Sequence, residues 1–382
     1  MKKVRLGIIG IGLMGTGHVK TILGGQVPDI ELAAVADISP KARAKAVEIL
    51  GTDFPVFNDS NELFNMSGLD AVLISVPHYQ HPALTIEALK KGLHVLCEKP
   101  AGVYTKQARE MNEVAEKSNL TFGMVFQQRA DSIYRKMKEI VSSGELGAIK
   151  RVNLIITDWY RSQYYYDSGD WRATWEGEGG GVLLNQCPHN LDILQWICGM
   201  PNKVQAVCHV GKWHDIEVED DVTAYLEYPN GATGVVVTTT ADTPGDNRFA
   251  ITLEKGMLIC DKGNLVMHKL AQNEREFCVT SKDSWAQPEC ETIVLETKRQ
   301  LPQHSDVINA FAANILRGEP LIAPGIEGIN SLTLSNAMYL SSWLGKTIEI
   351  PFDEDLFLDE LNKRRATSRR KPKSTVGPQA AY

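Results

Sequence analysis

Three short stretches of this 382-residue chain hold residue types at spacings that suit chemistry. The first is GIGLMG, with Gly10, Gly12 and Gly15, between an apolar run and an amphipathic one, and Asp37 closes the next apolar run. In a strand–turn–helix setting such glycines make a tight turn, admit a pyrophosphate close to the backbone and let helix and strand touch. An acid ending the second strand accepts from both hydroxyls of a ribose. That context, with Leu13 and Met14 opening the helix, predicts a dinucleotide site. Asp37 favours NAD, because its carboxylate repels a 2′-phosphate, while Ser39, Lys41 and Arg43 nearby leave NADP open.

The second stretch is a pair of segments, SVPHYQHP (Ser75, Pro77, His78, His81) and CEKPAG (Glu98, Lys99, Pro100), each after an apolar run. Ligands of open parallel sheets collect where strands end. An ammonium at a strand end, with a proline fixing the backbone beyond it, can polarise or orient a hydroxyl. On these residues alone Lys99 reads equally as a solvated surface charge, and His81 as a cap on the following helix. The third stretch, GGGVLLNQCPHNLDI, sets Asn185 and His189 four residues apart at the start of what reads as a buried helix, hence on one face. Alone, His189 reads as a satisfied core histidine and Asn185 as a helix N-cap.

The elements that must position these groups follow from periodicity. From Val4 to about Phe126, VRLGIIG, IELAAVAD, AVLISV and LHVLCEK read as strands buried on both faces, separated by amphipathic helices. This predicts a Rossmann-type doubly wound parallel sheet over residues 1–126. A helix, SIYRKMKEIVSSGELG, then leads into alternating runs with hairpin turns at Asn230-Gly231 and Lys262-Gly263. Helical patterns return near 305–318 and 326–345, so residues 127–362 read as an α+β domain with a mostly antiparallel sheet. The basic stretch 363–382 reads as a solvated or subunit-clasping tail, and Glu217, Glu219, Asp220 and Asp221 as a solvated strand front rather than a cation site.

A net charge of −7 argues against nucleic acid or an anionic membrane as partner and favours a small molecule. Seven scattered cysteines without a CxxC pair read as reduced cytoplasmic thiols and imply no metal site. Arg5 and crowding glycines spoil the first apolar run as a signal peptide, and no run of 18 apolar residues spans a membrane.

GIGLMG, Asp37, VPHYQHP and above all CEKP together resemble the glucose-fructose oxidoreductase/inositol dehydrogenase/MocA family of NAD(P)-dependent oxidoreductases. GELGAIKRVNLI, EGGG…H, VTAYLEYPNGATG and DVINAFAANILRGEP extend the likeness over nearly the whole chain before the tail. The resemblance implies a second domain with a large open sheet that often mediates homo-oligomers, dimers or tetramers. It also implies hydride transfer at a secondary alcohol of a sugar, sugar derivative or cyclitol. Cofactor contacts are expected from Gly10, Gly12, Leu13, Met14, Asp37, Ser75, Pro77, His78, His81, Glu98, Lys99 and Gln127, although His78 stands where many relatives carry Asn. Many members place a carboxylate four residues before the helical His. Here Lys99 matches the Lys, His189 the His, and Asn185 occupies the acid's position. His189, with an unperturbed pKa near 6.5, is the expected general base, Lys99 binds the same oxygen, and Asn185 orients without titrating.

DWYRSQYYYDSGDWRATWEGEGGG is rich in aromatics: Trp159, Tyr160, Tyr164, Tyr165, Tyr166, Trp171 and Trp175. Their faces suit sugar rings, and Arg161, Asp170, Arg172 and Glu178 suit hydroxyls. An interface loop between subunits is the equal alternative. Arg129, in FQQRADSIY, is expected to face the cleft. The segment looks most like the subgroup holding levoglucosan dehydrogenase and enzymes that oxidise glycosides at C3. The expected substrate is therefore a sugar or glycoside, held by Lys99, Arg129, Tyr160, Arg161, Trp171, Arg172, Trp175, Asn185 and His189. A cyclitol dehydrogenase, an oxidation-initiated cleaving or epimerising enzyme, and a non-catalytic NAD- or sugar-binding regulator stay as alternatives.

Overall fold

The Val-, Ile- and Leu-rich runs of the first third form one parallel sheet in the computed structural model, which describes residues 2–297 and 304–369. Its strands are β1 (Val4–Ile9), β2 (Ile30–Ala36), β3 (Val56–Phe57), β4 (Ala71–Ile74), β5 (His94–Cys97) and β6 (Phe122–Met124), in the order β3-β2-β1-β4-β5-β6. The four expected strands form. The added edge strands β3 and β6 are too short to show a period. Leu6, Ile8, Val35, Val72, Leu73, Val95 and Leu96 are fully buried, because helices cover both faces. One of those helices, His304–Arg317, comes from late in the chain, and its Val307, Ile308, Phe311 and Ala312 share a core with Val4, Leu6 and Ile8. Strand order reverses between β1 and β4, which opens a crevice above their C-terminal ends.

The second sheet has nine strands: β7 (Ile149–Ile156), β8 (Lys203–Val210), β9 (Glu219–Glu227), β10 (Thr233–Thr239), β11 (Asn247–Leu253), β12 (Gly256–Asp261), β13 (Asn264–Leu270), β14 (Cys290–Leu295) and β15 (Ile348–Glu349). They lie in the order β14-β13-β12-β11-β7-β10-β9-β8-β15, and every pairing is antiparallel except β7 with β10. Both expected hairpins occur. Lys262 and Gly263 turn β12 into β13 with φ of +46° and +83°, the mirror-image turn that matches strand twist. Helices Pro188–Cys198 and Gly328–Leu344 cover one face, while Val207, Tyr225 and Val294 are exposed on the sheet.

Long-range bonds join the two halves where the site lies. Asn336, buried in the helix Gly328–Leu344, accepts from Thr105 N at 3.1 Å and donates to Val103 O at 3.0 Å, which pins the segment after CEKPAG to the second half. The helix Glu354–Ala366 runs into the stretch read as a tail, whose residues beyond 369 lie outside those described. Among the described residues no helix is long and apolar enough to cross a membrane.

Candidate active site

The crevice between β1 and β4 is built by glycines. Gly10 has φ +89°, and a Cβ there would stand 2.2 Å from Ser75 O, while one at Gly15 would stand 1.9 Å from Gly10 O. A Cβ at Gly12 would meet nothing within 4 Å, so Gly10 and Gly15 serve close packing and Gly12 keeps an approach open. The helix Leu13–Leu23 begins at Gly12 without a side-chain cap, which leaves its N-terminal dipole and amides for an anion. Leu13 is 39% exposed at the rim, with Met14 half-buried beside it, and Ser75 and Pro77 close the β4 side. Asp37 is fixed at the end of β2, one oxygen accepting from Ile11 N and the other from Ser39 N, both at 2.7 Å. Arg43 donates to Asp37 O at 2.8 Å. Gln127 Oε1 is buried without a partner, another free polar atom at this end. The open turn, the uncapped helix and the oriented carboxylate fit a dinucleotide held by Gly10, Gly12, Leu13 and Asp37.

Lys99 follows β5 and faces the second half: its Nζ donates to Asn185 O at 2.7 Å. Burial lowers its pKa, opposed by the charges of Glu98 and Glu178. Burial would raise Glu98, but the hydrogen bond from His18 at 2.7 Å and that ring's charge, with those of His304 and Lys99, hold it at about 2. Its other oxygen accepts from Lys99 N at 3.2 Å. The carboxylate expected to meet cofactor is thus committed to His18 and to the Lys99 backbone.

Asn185 is not on the helix that carries His189. Pro188 occupies the first turn of Pro188–Cys198, and Asn185 lies in the preceding turn, its N–H donating to Gly181 O at 2.9 Å. Glu219 holds that turn. It accepts from Gly181 N and Leu183 N, each at 2.9 Å, and from Tyr339 Oη at 2.6 Å, and burial pushes its pKa up to about 7. The acidic run is therefore not a solvated front. Glu219 and Asp220 are fully buried, Asp220 accepts from the amides of Lys212, Trp213 and His214, and Glu217 accepts from Trp175 N. Loop amides with no ladder partner need such acceptors, and periodicity does not show them.

His189 is 7% exposed, edge-on to Phe126 at 5.9 Å, and its Nδ1 is buried without a partner. Burial, then the charge of Lys99, lowers its pKa to about 3. The ring is neutral throughout the physiological range instead of titrating near neutrality.

The aromatic segment folds over this pair. Asn185 Nδ2 donates to Glu178 Oε1 and, at 3.3 Å, to Tyr165 Oη. Tyr165 Oη also accepts from Arg172 at 2.5 Å and from Gln186 at 3.1 Å. The Arg172 guanidinium lies 4.3 Å from the Tyr165 ring and 4.8 Å from that of Trp171, whose indole meets His78 edge-on at 5.8 Å. His78 Nδ1 lies 3.1 Å from Glu178 O, so this histidine links the halves. Tyr165 was legible only as one of seven aromatics. Its role as hydroxyl hub depends on Arg172 folding back onto it.

Three further expected contacts go elsewhere. Arg129 is 2% exposed and does not face the cleft: Nε and one terminal nitrogen each bind Asp192 at 2.7 Å, and the other terminal nitrogen binds Glu327. Its charge required a buried partner, and helix Pro188–Cys198 supplies one. His81 is the first residue of the helix His81–Lys90 rather than its cap, and its ring nitrogens lie 2.7 Å from Pro100 O and 2.8 Å from Val76 O, tying the two strand-end loops together. Trp175 is buried between Tyr339 and Trp343, with centroids at 5.8 and 5.7 Å, and belongs to the core. Tyr160 is half exposed, its carbonyl accepting from Arg161, which stacks on Trp159 and Tyr165 at the edge of the cluster.

A model described as "Oxidoreductase family, NAD-binding Rossmann fold" matches residues 4–126, and the GFO/IDH/MocA C-terminal domain matches residues 134–259. The chain belongs to the GFO/IDH/MocA family. It is an NAD-dependent oxidoreductase, as the CEKP resemblance implied. Myo-inositol 2-dehydrogenase of Thermotoga maritima is 26% identical over 344 residues, 87% of this chain and 95% of the relative. The WlbA dehydrogenase of Bordetella pertussis, solved with NADH and UDP-GlcNAcA, is 26% identical with a TM-score of 0.78, covering 92% of this chain and 100% of its own. Levoglucosan dehydrogenase, solved with NADH and L-sorbose, shares the fold at 18% identity and a TM-score of 0.74, over 92% of this chain and 100% of its own.

Proposed function

We propose that this GFO/IDH/MocA member oxidises a secondary hydroxyl of a sugar or glycoside, at C3 of a pyranose. The observation that carries the reading is the meeting of Lys99, from the first half, with the Asn185–His189 segment of the second, beside the nucleotide crevice. Bound NAD supplies the acceptor for the carbinol hydrogen and its electron pair. Lys99 binds the hydroxyl oxygen and takes its proton, so that an O–H bond breaks as an N–H bond forms. His189, neutral and with unspent hydrogen-bonding capacity, orients the hydroxyl. Trp171 offers a face to the sugar ring, and Arg172, Tyr165 and Asn185 offer partners to its other hydroxyls. Inositol, UDP-GlcNAcA and L-sorbose in the names of relatives are all polyhydroxylated, and the likeness of the aromatic segment supports C3. NADP remains an acceptable cofactor through Arg43. The apolar residues on the open sheet face favour a homo-oligomer, and the unpaired cysteines favour the cytoplasm.

A panel of glycosides, anhydrosugars and cyclitols incubated with NAD is expected to give NADH and 3-keto products from glycosides. Turnover confined to cyclitols reassigns the substrate. Product without net NADH points to oxidation-initiated cleavage or epimerisation, and binding without oxidation across the panel leaves only a regulator.

The pH dependence follows from the cluster. Oxidation needs neutral Lys99, whose folded pKa is below 10.5, so kcat/KM for oxidation rises with pH and levels off short of an ordinary lysine's range. His189 adds no limb between about pH 5 and 8, since its pKa is about 3. A flat oxidation profile up to about pH 10 removes Lys99 as proton acceptor.

A further inference from the structure

The proton chemistry above leaves one buried carboxylate of the cluster unused. Glu178, 1% exposed, comes from the turn before the three glycines and contacts three separate parts of the site. Its Oε1 accepts from Asn185 Nδ2 and lies 3.7 Å from Arg172, its Oε2 accepts from Ala173 N at 2.5 Å, and its carbonyl oxygen meets His78 at 3.1 Å. Asn185 is the shared member: its side chain binds Glu178 while its main-chain oxygen binds Lys99 Nζ. Burial raises the Glu178 pKa, opposed by the charge of Arg172, by the bonds from Ala173 N and Asn185, and by the charge of Lys99, so Arg172 and Lys99 are the cations that favour its ionised form.

We propose that Glu178 is a positioning residue for the alcohol oxidation: through Asn185 it fixes where Lys99 stands, and across the cluster it holds the charge that Lys99 carries once the hydroxyl proton has moved to it. This rests on reading Lys99 as the group that meets the hydroxyl. No bond at Glu178 changes. The hydroxyl proton stays on Lys99 Nζ as ammonium, balanced by the carboxylate, until solvent or the reverse step removes it. Both Glu178 oxygens accept, Oε1 from Asn185 Nδ2 and Oε2 from Ala173 N, as an ionised carboxylate does.

Several charged and titratable groups face Lys99. Glu98 and Glu178 raise its pKa against burial, and Arg172 and Arg161 lower it. The rings of His78, His81, His189 and His304 also lie within its field, and burial lowers the pKa of each. Removing the Glu178 carboxylate leaves Glu98 as the anion opposing burial, so Lys99 must become more acidic. A purely structural Glu178, needed to hold Ala173 and Arg172 in place, makes no such demand.

The test uses the full chain without cofactor or substrate. Trace acetic anhydride labels lysines in proportion to their neutral fraction, and mass spectrometry of the Lys99 peptide across pH reads its pKa. Glu178→Gln is expected to lower the Lys99 pKa by about one unit and to move the rising limb of kcat/KM the same way. Glu178→Gln with Asn185→Asp, which moves the carboxylate one residue along the same hydrogen bond, is expected to restore both. An unmoved Lys99 pKa in folded Glu178→Gln overturns the inference. Should that variant not fold, Glu178→Asp is read instead, and Lys99 must shift down by a smaller amount or the inference fails. Labelling needs no sugar. A panel without turnover therefore defeats the proposed function while the Lys99 shift stays readable, and an unmoved Lys99 with normal turnover defeats this inference alone.

Discussion

Lys99→Met is expected to lower kcat/KM for oxidation by about three orders of magnitude while NAD binds with nearly unchanged affinity. Methionine keeps the unbranched stem that fills the end of β5 but removes the ammonium that reaches Asn185 O. The variant loses proton transfer and charge stabilisation together. The nucleotide elements, Gly10, Gly12 and Asp37, belong to other strand ends and are untouched. Isothermal titration with NAD and steady-state kinetics separate the two effects. A variant within tenfold of the parent removes Lys99 from the chemistry, and a variant that no longer binds NAD makes it a cofactor ligand first.

Arg129→Met is expected to have the largest effect on stability, a loss of about 3–5 kcal/mol, because it leaves the buried Asp192 carboxylate without its cation. Asp192 accepts two bonds from Arg129 and one from Gln195 at 3.0 Å, and it is fully buried. The guanidinium also rests against the rings of Phe126 and Trp196, so the substitution must be compared with Arg129→Met/Asp192→Leu, which removes both charges and recovers most of the loss. Urea unfolding measures it. Unchanged stability with a raised KM instead returns Arg129 to the substrate cleft.

The first domain is legible because its buried strands are near-continuous apolar runs, and because the glycine turn and Asp37 fall in a strand–turn–helix context. β3 and β6 are not, being held by neighbours rather than by any pattern of their own. The helix His304–Arg317 was visible as a helix, but nothing in its sequence says that it packs against β1. The site divides in the same way. Lys99 and His189 carry motifs, whereas Arg129 and Glu219 are satisfied by partners far along the chain, and His81 and Asp220 by main-chain groups of loops whose course no periodicity shows. Charge in a sequence looks solvated until its partner is seen. Spacing alone places Asn185 on the helix, whereas Pro188, in the same stretch, marks its start. The low pKa of His189 is not legible in the sequence, because burial beside Lys99 does not show in one dimension.

The most direct test is a crystal structure of the protein with NADH and the keto-sugar product identified by the panel. The account predicts the new carbonyl oxygen within about 3 Å of Lys99 Nζ, with His189 on the same oxygen, Trp171 against the ring, and Lys99 released from Asn185 O or sharing that bond. A product bound elsewhere, with Lys99 still held only by Asn185 and no protein group but Arg129 or solvent near its carbonyl, contradicts it.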